Sequence, residues 1–195
     1  MEWKVCGADT DLTGVLMRYR QLEIAGAWLI EIEPKSDDRG FFARTVCSQE
    51  FKQRGLPERF VQSSISYNTK RGTLRGMHLQ KAPSKEVKLI RCTAGEIYDV
   101  VLDLRKDSPT FLKWIGVNLS AKNRSALIVP FGCAHGFITL QDDTELLYMM
   151  SEEQAPELAT GARWNDPAFG ITWPIAPQVI SERDASYPDF VRESF

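Results

Sequence analysis

Short runs of β-branched and aromatic residues, separated by turn residues, repeat along most of this chain. The turn signals recur about every 8–12 residues, which is the spacing of an all-β sandwich or barrel. The runs lie at Trp28–Glu33, Phe60–Tyr67, Lys88–Cys92, Glu96–Leu104, Phe111–Leu119, Ser125–Val129, Gly136–Leu140 and Glu145–Met150. Helix signals are few, and only Ser48–Gly55, which begins with Ser and ends with Gly, is predicted as a short helix. The pattern therefore predicts an all-β barrel with a few short helices.

The length of the chain predicts a single domain. Its 195 residues suffice for one substantial core, and 43% of them are hydrophobic. No internal repeat, low-complexity stretch or linker divides the chain. The segment after Trp173 is rich in Pro, Asp and Ser, and we expect residues 174–195 to wrap around the barrel instead of forming a second domain.

Charge, hydropathy and cysteine spacing limit the partners, the location and the thiol chemistry of the protein. The net charge of −2 is spread over interspersed acidic and basic residues, so there is no basic field for nucleic acid or an anionic membrane. No apolar run at the beginning of the chain is long enough for a signal sequence or a membrane span, which predicts a cytoplasmic protein. The cysteines form no CxxC pair and are predicted to be free thiols: Cys6, Cys47, Cys92 and Cys133.

The two histidines of the chain both lie in strings that contain glycine. His78 belongs to Gly72–Gln80, and His135 belongs to Pro130–Phe137. Glycines permit close approach of backbone or ligand, and Arg75 is three residues from His78. A single histidine near a strand end usually completes a hydrogen bond, but two in such strings predict a pocket.

The second string fits the cupin pattern Pro-x-Gly-x-x-His, which carries a ligand in metal-dependent cupins. Those proteins have His-x-His in the first motif, where this chain has His78-Leu79-Gln80. Two imidazoles with Gln80, and with Glu86 as the one further candidate, are a poor set for iron or zinc, which favour imidazole, thiolate or carboxylate ligands. We therefore expect no metal and no other cofactor.

Seven strings, taken in order, resemble the dTDP-4-dehydrorhamnose 3,5-epimerase family. They are Asp38–Phe42, Leu74–Gln80, Gly95–Arg105, Ser108–Phe111, Pro130–Phe137, Trp164–Pro167 and Ser181–Asp184. The resemblance implies a double-stranded β-helix, the cupin or jelly-roll barrel. It also implies a homodimer in which N-terminal strands, at residues 1–35 or so, are exchanged.

The same resemblance implies epimerisation at C3 and/or C5 of a nucleotide-linked 4-keto-6-deoxyhexose. Carbons beside a ketone need a base on one face, stabilisation of the enolate oxygen and an acid on the other face. The family's base falls on His78, its orienting carboxylate on Asp184, its lysine near the keto oxygen on Lys88 and its proton donor on Tyr148. From the sequence alone, Tyr148 also fits a core position, and Lys88 and Asp184 also fit solvated positions.

The resemblance further assigns substrate contacts to Arg39, Phe42, Arg44, Gln62, Ser64, Arg75, Gln80, His135 and Arg183. Arginine offers bidentate pairing to a diphosphate, whereas Arg39 and Arg183 would otherwise form surface ion pairs. Asp166, before Pro167, is interpreted as a structural turn residue.

Departures from the family fall in the nucleotide-contacting set. Arg44 stands where the family commonly has Glu, Ser64 where it has Asn, and Gln154 where a second aromatic is expected. Epimerase chemistry is therefore predicted more firmly than dTDP specificity. A CDP- or GDP-linked sugar, or reaction at one carbon, remains an alternative, as do a metal-dependent cupin enzyme and a non-catalytic sugar-nucleotide-binding module.

Overall fold

The computed structural model describes residues 17–191, which form fourteen strands and two short helices. The strands are β1 (Met17–Gln21), β2 (Trp28–Ile32), β3 (Lys35–Asp37), β4 (Gly40–Phe42), β5 (Gln62–Asn68), β6 (Thr73–Gln80), β7 (Lys88–Ala94), β8 (Glu96–Asp103), β9 (Trp114–Ser120), β10 (Ala126–Val129), β11 (Cys133–Thr139), β12 (Thr144–Met150), β13 (Ala159–Gly161) and β14 (Val179–Ile180). The helices are α1 (Ser48–Lys52) and α2 (Glu182–Ala185).

Two sheets face each other and enclose the main core. The first sheet has the strand order β1-β2-β10-β7-β12-β5, and the second has the order β13-β6-β11-β8-β9, with β14 added parallel to β6. The core between them contains Leu127 and Leu146 from the first sheet and Ile97, Val101 and Phe137 from the second. This is the predicted all-β barrel.

Both sheets are also covered on their outer faces. Phe51 and Leu56, in and after α1, pack on the outside of the first sheet. Phe169, Trp173 and Phe190, from the C-terminal part of the chain, pack on the outside of the second sheet. Strands covered on both sides carry apolar residues at successive positions instead of alternating ones, as in β10, whose four residues are all buried.

Strand β6, which carries His78, was missed by the strand prediction because its glycines resemble turn signals. Residues Thr73–Gln80 nevertheless form one continuous strand paired with β11. A Cβ atom on Gly76 would lie 2.5 Å from the Cα atom of Gly136, and one on Gly136 would lie 2.9 Å from the carbonyl oxygen of Arg75. The close approach expected of these glycines is therefore between two backbones, and it brings β6 and β11 together.

The other predicted strands are present with shifted ends, and the predicted helix is present as α1. The run predicted at Phe111–Leu119 begins later, at Trp114, because the preceding residues form turns. Asp103 holds these turns by accepting hydrogen bonds from the hydroxyls of Ser108 and Thr110.

Two predictions lie partly outside the described residues, which exclude 1–16 and 192–195. They are the exchange of N-terminal strands at residues 1–35 and the wrapping of residues 174–195 around the barrel. Within the described part, β1 and β2 pair with each other and β2 joins β10 in the same sheet. No helix between residues 17 and 191 is long and apolar enough to cross a bilayer.

Candidate active site

A cavity of about 240 Å³ opens between the two sheets. Its walls hold six of the predicted site residues, namely Ser64, His78, Gln80, Lys88, Tyr148 and Arg183. The lining also includes Glu86, Met150, Gln154 and Thr160. The fold therefore brings residues from five strands, β5, β6, β7, β12 and β13, and from the C-terminal segment to one place.

Strand register explains why these side chains face the cavity. Lys88 on β7 is paired with Met150 on β12, and Tyr148 is paired with Ile90. Directly paired residues share a face, as do alternate residues along a strand. Lys88 and Tyr148 therefore share the inner face of the first sheet, while His78 comes from β6 in the opposite sheet. The imidazole and the phenol belong to opposite walls of one cavity.

His78 is hydrogen-bonded to a buried carboxylate. Its Nε2 lies 2.7 Å from Oδ1 of Asp184, and the other oxygen of Asp184 accepts the N–H of Gly76 at 3.1 Å. Asp184 is placed by α2, where Ser181 caps its backbone N–H. Burial raises the pKa of the Asp184 carboxyl, but the hydrogen bond and charge of His78, together with the hydrogen bonds of Gly76 and Ser181, outweigh burial and bring the pKa below its ordinary value. The carboxylate thus occupies Nε2 and leaves Nδ1 of His78 to accept a proton.

Tyr148 is partly buried between the cavity and the interior. Burial raises the pKa of its phenol well above the ordinary value, the charge of Asp99 raises it further, and the charge of Arg75 opposes both. The phenol is therefore held in its protonated form at neutral pH, which suits a proton donor.

A second histidine–aspartate pair lies behind Tyr148. His135 Nε2 contacts Oδ1 of Asp99, and both side chains are buried. The His135 ring meets the Tyr148 ring edge to face, with centroids 5.8 Å apart. His135 is absent from the cavity lining, and its contact with the site is the packing of its ring against Tyr148, which does line the cavity.

Lys88 has a charged neighbour that the sequence reasoning did not place in the site. Its Nζ lies 2.9 Å from Oε2 of Glu86, which also lines the cavity. The sequence motifs offer Glu86 only as a metal-ligand candidate. Its spacing of two from Lys88 is the signal that could have placed it there, because alternate residues of an extended segment face the same side.

Gln62, Gln80 and Arg75 support the cavity through backbone and amide contacts. Gln62 accepts the N–H of Gln154 at 2.6 Å, and Gln80 accepts the N–H of Ala155 at 2.7 Å. The two glutamines therefore hold the turn that carries Gln154. Arg75 donates to Oδ1 of Asn68 at 2.8 Å.

Three further predicted substrate contacts are absent from the cavity lining, as Gln62, Arg75 and His135 are. Arg39 pairs with Asp37 on the exposed β3–β4 hairpin, and Phe42 on the same hairpin is 73% exposed. Arg44 pairs with the buried carboxylate of Glu50 at 3.0 Å. Asp166 is buried and accepts the N–H groups of Ala168 and Phe190, in keeping with its structural interpretation.

Within the described part of the chain, neither histidine belongs to a cluster of metal ligands. Between residues 17 and 191, no group of three or more His, Cys, Asp and Glu side chains is placed to hold a metal ion. Each imidazole is instead bonded through Nε2 to a single carboxylate. The donor set of a metal-dependent cupin is therefore not assembled in this part of the chain.

The profile of the dTDP-4-dehydrorhamnose 3,5-epimerase family matches residues 21–192. The chain belongs to this family. The enzyme of that name from Shigella flexneri is 39% identical over 176 residues, which cover 90% of this chain and 97% of that protein. The predicted family, and with it an isomerase, are confirmed.

Solved structures agree with this assignment. A crystal structure of the Bacillus anthracis dTDP-4-dehydrorhamnose 3,5-epimerase, with TDP and PPi bound, has a TM-score of 0.86 and 40% identity, and covers 90% of this chain and 100% of that one. A 3'-monoepimerase from Streptomyces bikiniensis, in complex with dTDP-quinovose, has a TM-score of 0.80 and 34% identity, and covers 86% of this chain and 85% of that one. The predicted cupin-type barrel of the family is confirmed.

Proposed function

We propose that this chain epimerises C3 and/or C5 of a nucleotide-linked 4-keto-6-deoxyhexose, with dTDP as the first nucleotide to test. The observation that carries the proposal is the placement of His78 and Tyr148 on opposite walls of one cavity, with Lys88 beside Tyr148 on the inner face of the first sheet. An inversion through a planar enolate requires this arrangement, because the proton leaves one face and returns to the other.

Each side chain takes its role in the proton transfer from the atom that it presents to the cavity. His78 Nδ1 takes the proton from the carbon beside the ketone, while Asp184 holds Nε2–H and stabilises the imidazolium. The electron pair of the broken C–H bond moves to the carbonyl oxygen, where the Lys88 ammonium stabilises the enolate. Tyr148 gives its phenolic proton to the other face of the same carbon. Solvent then removes the proton from His78 and returns one to Tyr148.

The charged nucleotide would extend from the cavity past Arg183, the arginine in its lining. We further propose a homodimer in which the β3–β4 hairpin, with Arg39 and Phe42, reaches the nucleotide of the partner subunit. The support is exposed apolar surface: Phe41 and Phe42 on the hairpin, and Ile65 and Tyr67 on the edge strand β5. An uncovered edge strand of this kind is a surface for pairing.

A reaction at one carbon is the second candidate. Gln154 lines the cavity where the family is expected to carry a second aromatic residue. The Streptomyces bikiniensis relative is a 3'-monoepimerase, so the family includes single-site enzymes.

The test is incubation with dTDP-linked 4-keto-6-deoxyglucose in D2O, followed by NMR of the sugar ring. Deuterium at C3 and C5 supports double epimerisation, and deuterium at one carbon supports the second candidate. His78→Asn should abolish incorporation at both positions. If dTDP-, CDP- and GDP-linked forms all keep their ring protons, the proposal fails.

A further inference from the structure

Glu86 and Lys88 form a charged pair in the cavity wall. The carboxylate and the ammonium are 2.9 Å apart. Val87, between them, packs against the hydrophobic cluster on the outer face of the first sheet. Because successive residues of an extended segment face opposite sides, Glu86 and Lys88 both turn inward.

The backbone around Glu86 is held on both sides. The Ser84 hydroxyl accepts the N–H of Glu86 at 3.2 Å and donates to the Glu152 carboxylate at 2.7 Å. The N–H of Val87 donates to the Ser151 hydroxyl at 2.8 Å. These contacts tie the segment to the end of β12, so the Glu86 carboxylate is presented from a fixed position.

The pair is also sheltered from water. The Glu86 side chain is 7% exposed and that of Lys88 is 17% exposed, so solvent screens their charges much less than it screens a surface pair. A lysine ammonium has three N–H donors on a flexible four-carbon stem. Glu86 engages one donor and restrains the stem, which leaves two donors for a ligand.

We infer that Glu86 is a positioning and specificity residue, which holds the Lys88 ammonium for a carbonyl oxygen and makes this subsite select an uncharged keto group over an anionic group. The inference deepens the proposed function and rests on it. A ketone has a single oxygen, which can accept a hydrogen bond from the Lys88 ammonium without contacting Glu86. A carboxylate or a phosphate brings several charged oxygens, and one of them must lie against Glu86.

The first measurement is the rate of deuterium exchange into the keto sugar. Glu86→Gln keeps the size of the side chain and removes its charge, so the freed ammonium loses its position. We expect kcat to fall about 10-fold to 100-fold, as for a displaced catalytic group, while KM changes by less than about threefold. Glu86→Asp keeps the charge on a shorter stem and should restore part of kcat.

The second measurement does not depend on turnover. Inorganic phosphate is titrated against the protein and followed by 31P NMR. Glu86→Gln should bind phosphate about tenfold more tightly than the wild type, because an unneutralised lysine attracts anions. The double variant Glu86→Gln/Lys88→Met should lose this gain, which locates the added phosphate at Lys88.

Thermal unfolding shows which variants are folded, and Glu86→Ala, which also removes the charge, takes the place of Glu86→Gln if the latter does not fold. Unchanged kcat and unchanged phosphate affinity in a folded variant would overturn the inference. Equal loss of kcat in both Glu86 variants without a gain in phosphate binding would also overturn it, since that result indicates a structural role. If the wild type exchanges no ring proton of any nucleotide sugar, the proposed function fails, while the phosphate titration still decides whether Glu86 excludes anions.

Discussion

Two histidines, each bonded to an aspartate, lie side by side in the second sheet, and they differ in access to the cavity. His78 and His135 are directly paired across β6 and β11, and each bonds to an aspartate through Nε2. The His78 side chain is 41% exposed and lines the cavity, whereas that of His135 is 5% exposed and lies behind Tyr148. The exposed His78 is therefore open to proton exchange with a ligand. The buried His135 instead contributes to the stability of the fold.

The aspartates also come from different places. Asp99 is on β8, the strand next to His135, so this pair belongs to the sheet itself. Asp184 is on α2, more than 100 residues after His78, and reaches it only because the C-terminal segment folds back on β6. The pair with the exposed histidine is thus completed by the last part of the described chain.

His78→Asn should give the largest loss of activity. Without the imidazole no base faces the sugar, and we expect the exchange rate to fall about 10²-fold to 10⁴-fold. NMR in D2O measures the rate. The unfolding midpoint should change little, because the side chain borders the cavity. A variant that keeps its exchange rate would remove His78 from the reaction.

His135→Leu should break the framework pair and act mainly on stability. It leaves the Asp99 carboxylate buried without its partner, which costs about 3–5 kcal/mol in the free energy of unfolding. Urea denaturation measures this loss. The double variant His135→Leu/Asp99→Leu should recover part of it, since no unpaired charge remains. If the His135→Leu variant keeps its stability but loses its exchange rate, the His135–Asp99 pair acts in the reaction and not in the stability of the fold.

Tyr148→Phe should separate proton removal from proton return. His78 can still take the proton, but no donor meets the enolate on the other face, so formation of the inverted product should fall about 100-fold. Solvent exchange with retained configuration should continue at a higher rate than inversion. Measuring both on one sample makes exchange the internal control. Equal loss of exchange and inversion would argue against separate roles.

Asp184→Asn should change the response of stability to acid. Because the pKa of the folded Asp184 lies below that of the unfolded chain, this carboxylate stabilises the fold above about pH 4, and the contribution is lost as pH falls through the folded pKa. Urea midpoints between pH 3 and pH 7 should therefore decline toward acid more steeply in the wild type than in the variant. Parallel curves would contradict the assignment.

Sequence reasoning located most of the fold and much of the cavity. Turn spacing predicted the strands that alternate or carry β-branched residues, and six predicted site residues meet in one cavity. It missed β6 because a glycine needed for contact between two strands reads like a glycine in a turn. It also gives Glu86 no role beside Lys88, because that role depends on the burial of the ion pair, which no local pattern records.

The amino-acid sequence by itself determined the all-β class and the family, since turn spacing and ordered motifs are properties of neighbouring residues. Only the tertiary structure decided which histidine is open to a ligand, which lysine charge is partly neutralised and which arginines lie outside the cavity. Access and burial depend on strands far apart in the chain, because a side chain becomes sheltered only when distant segments pack around it.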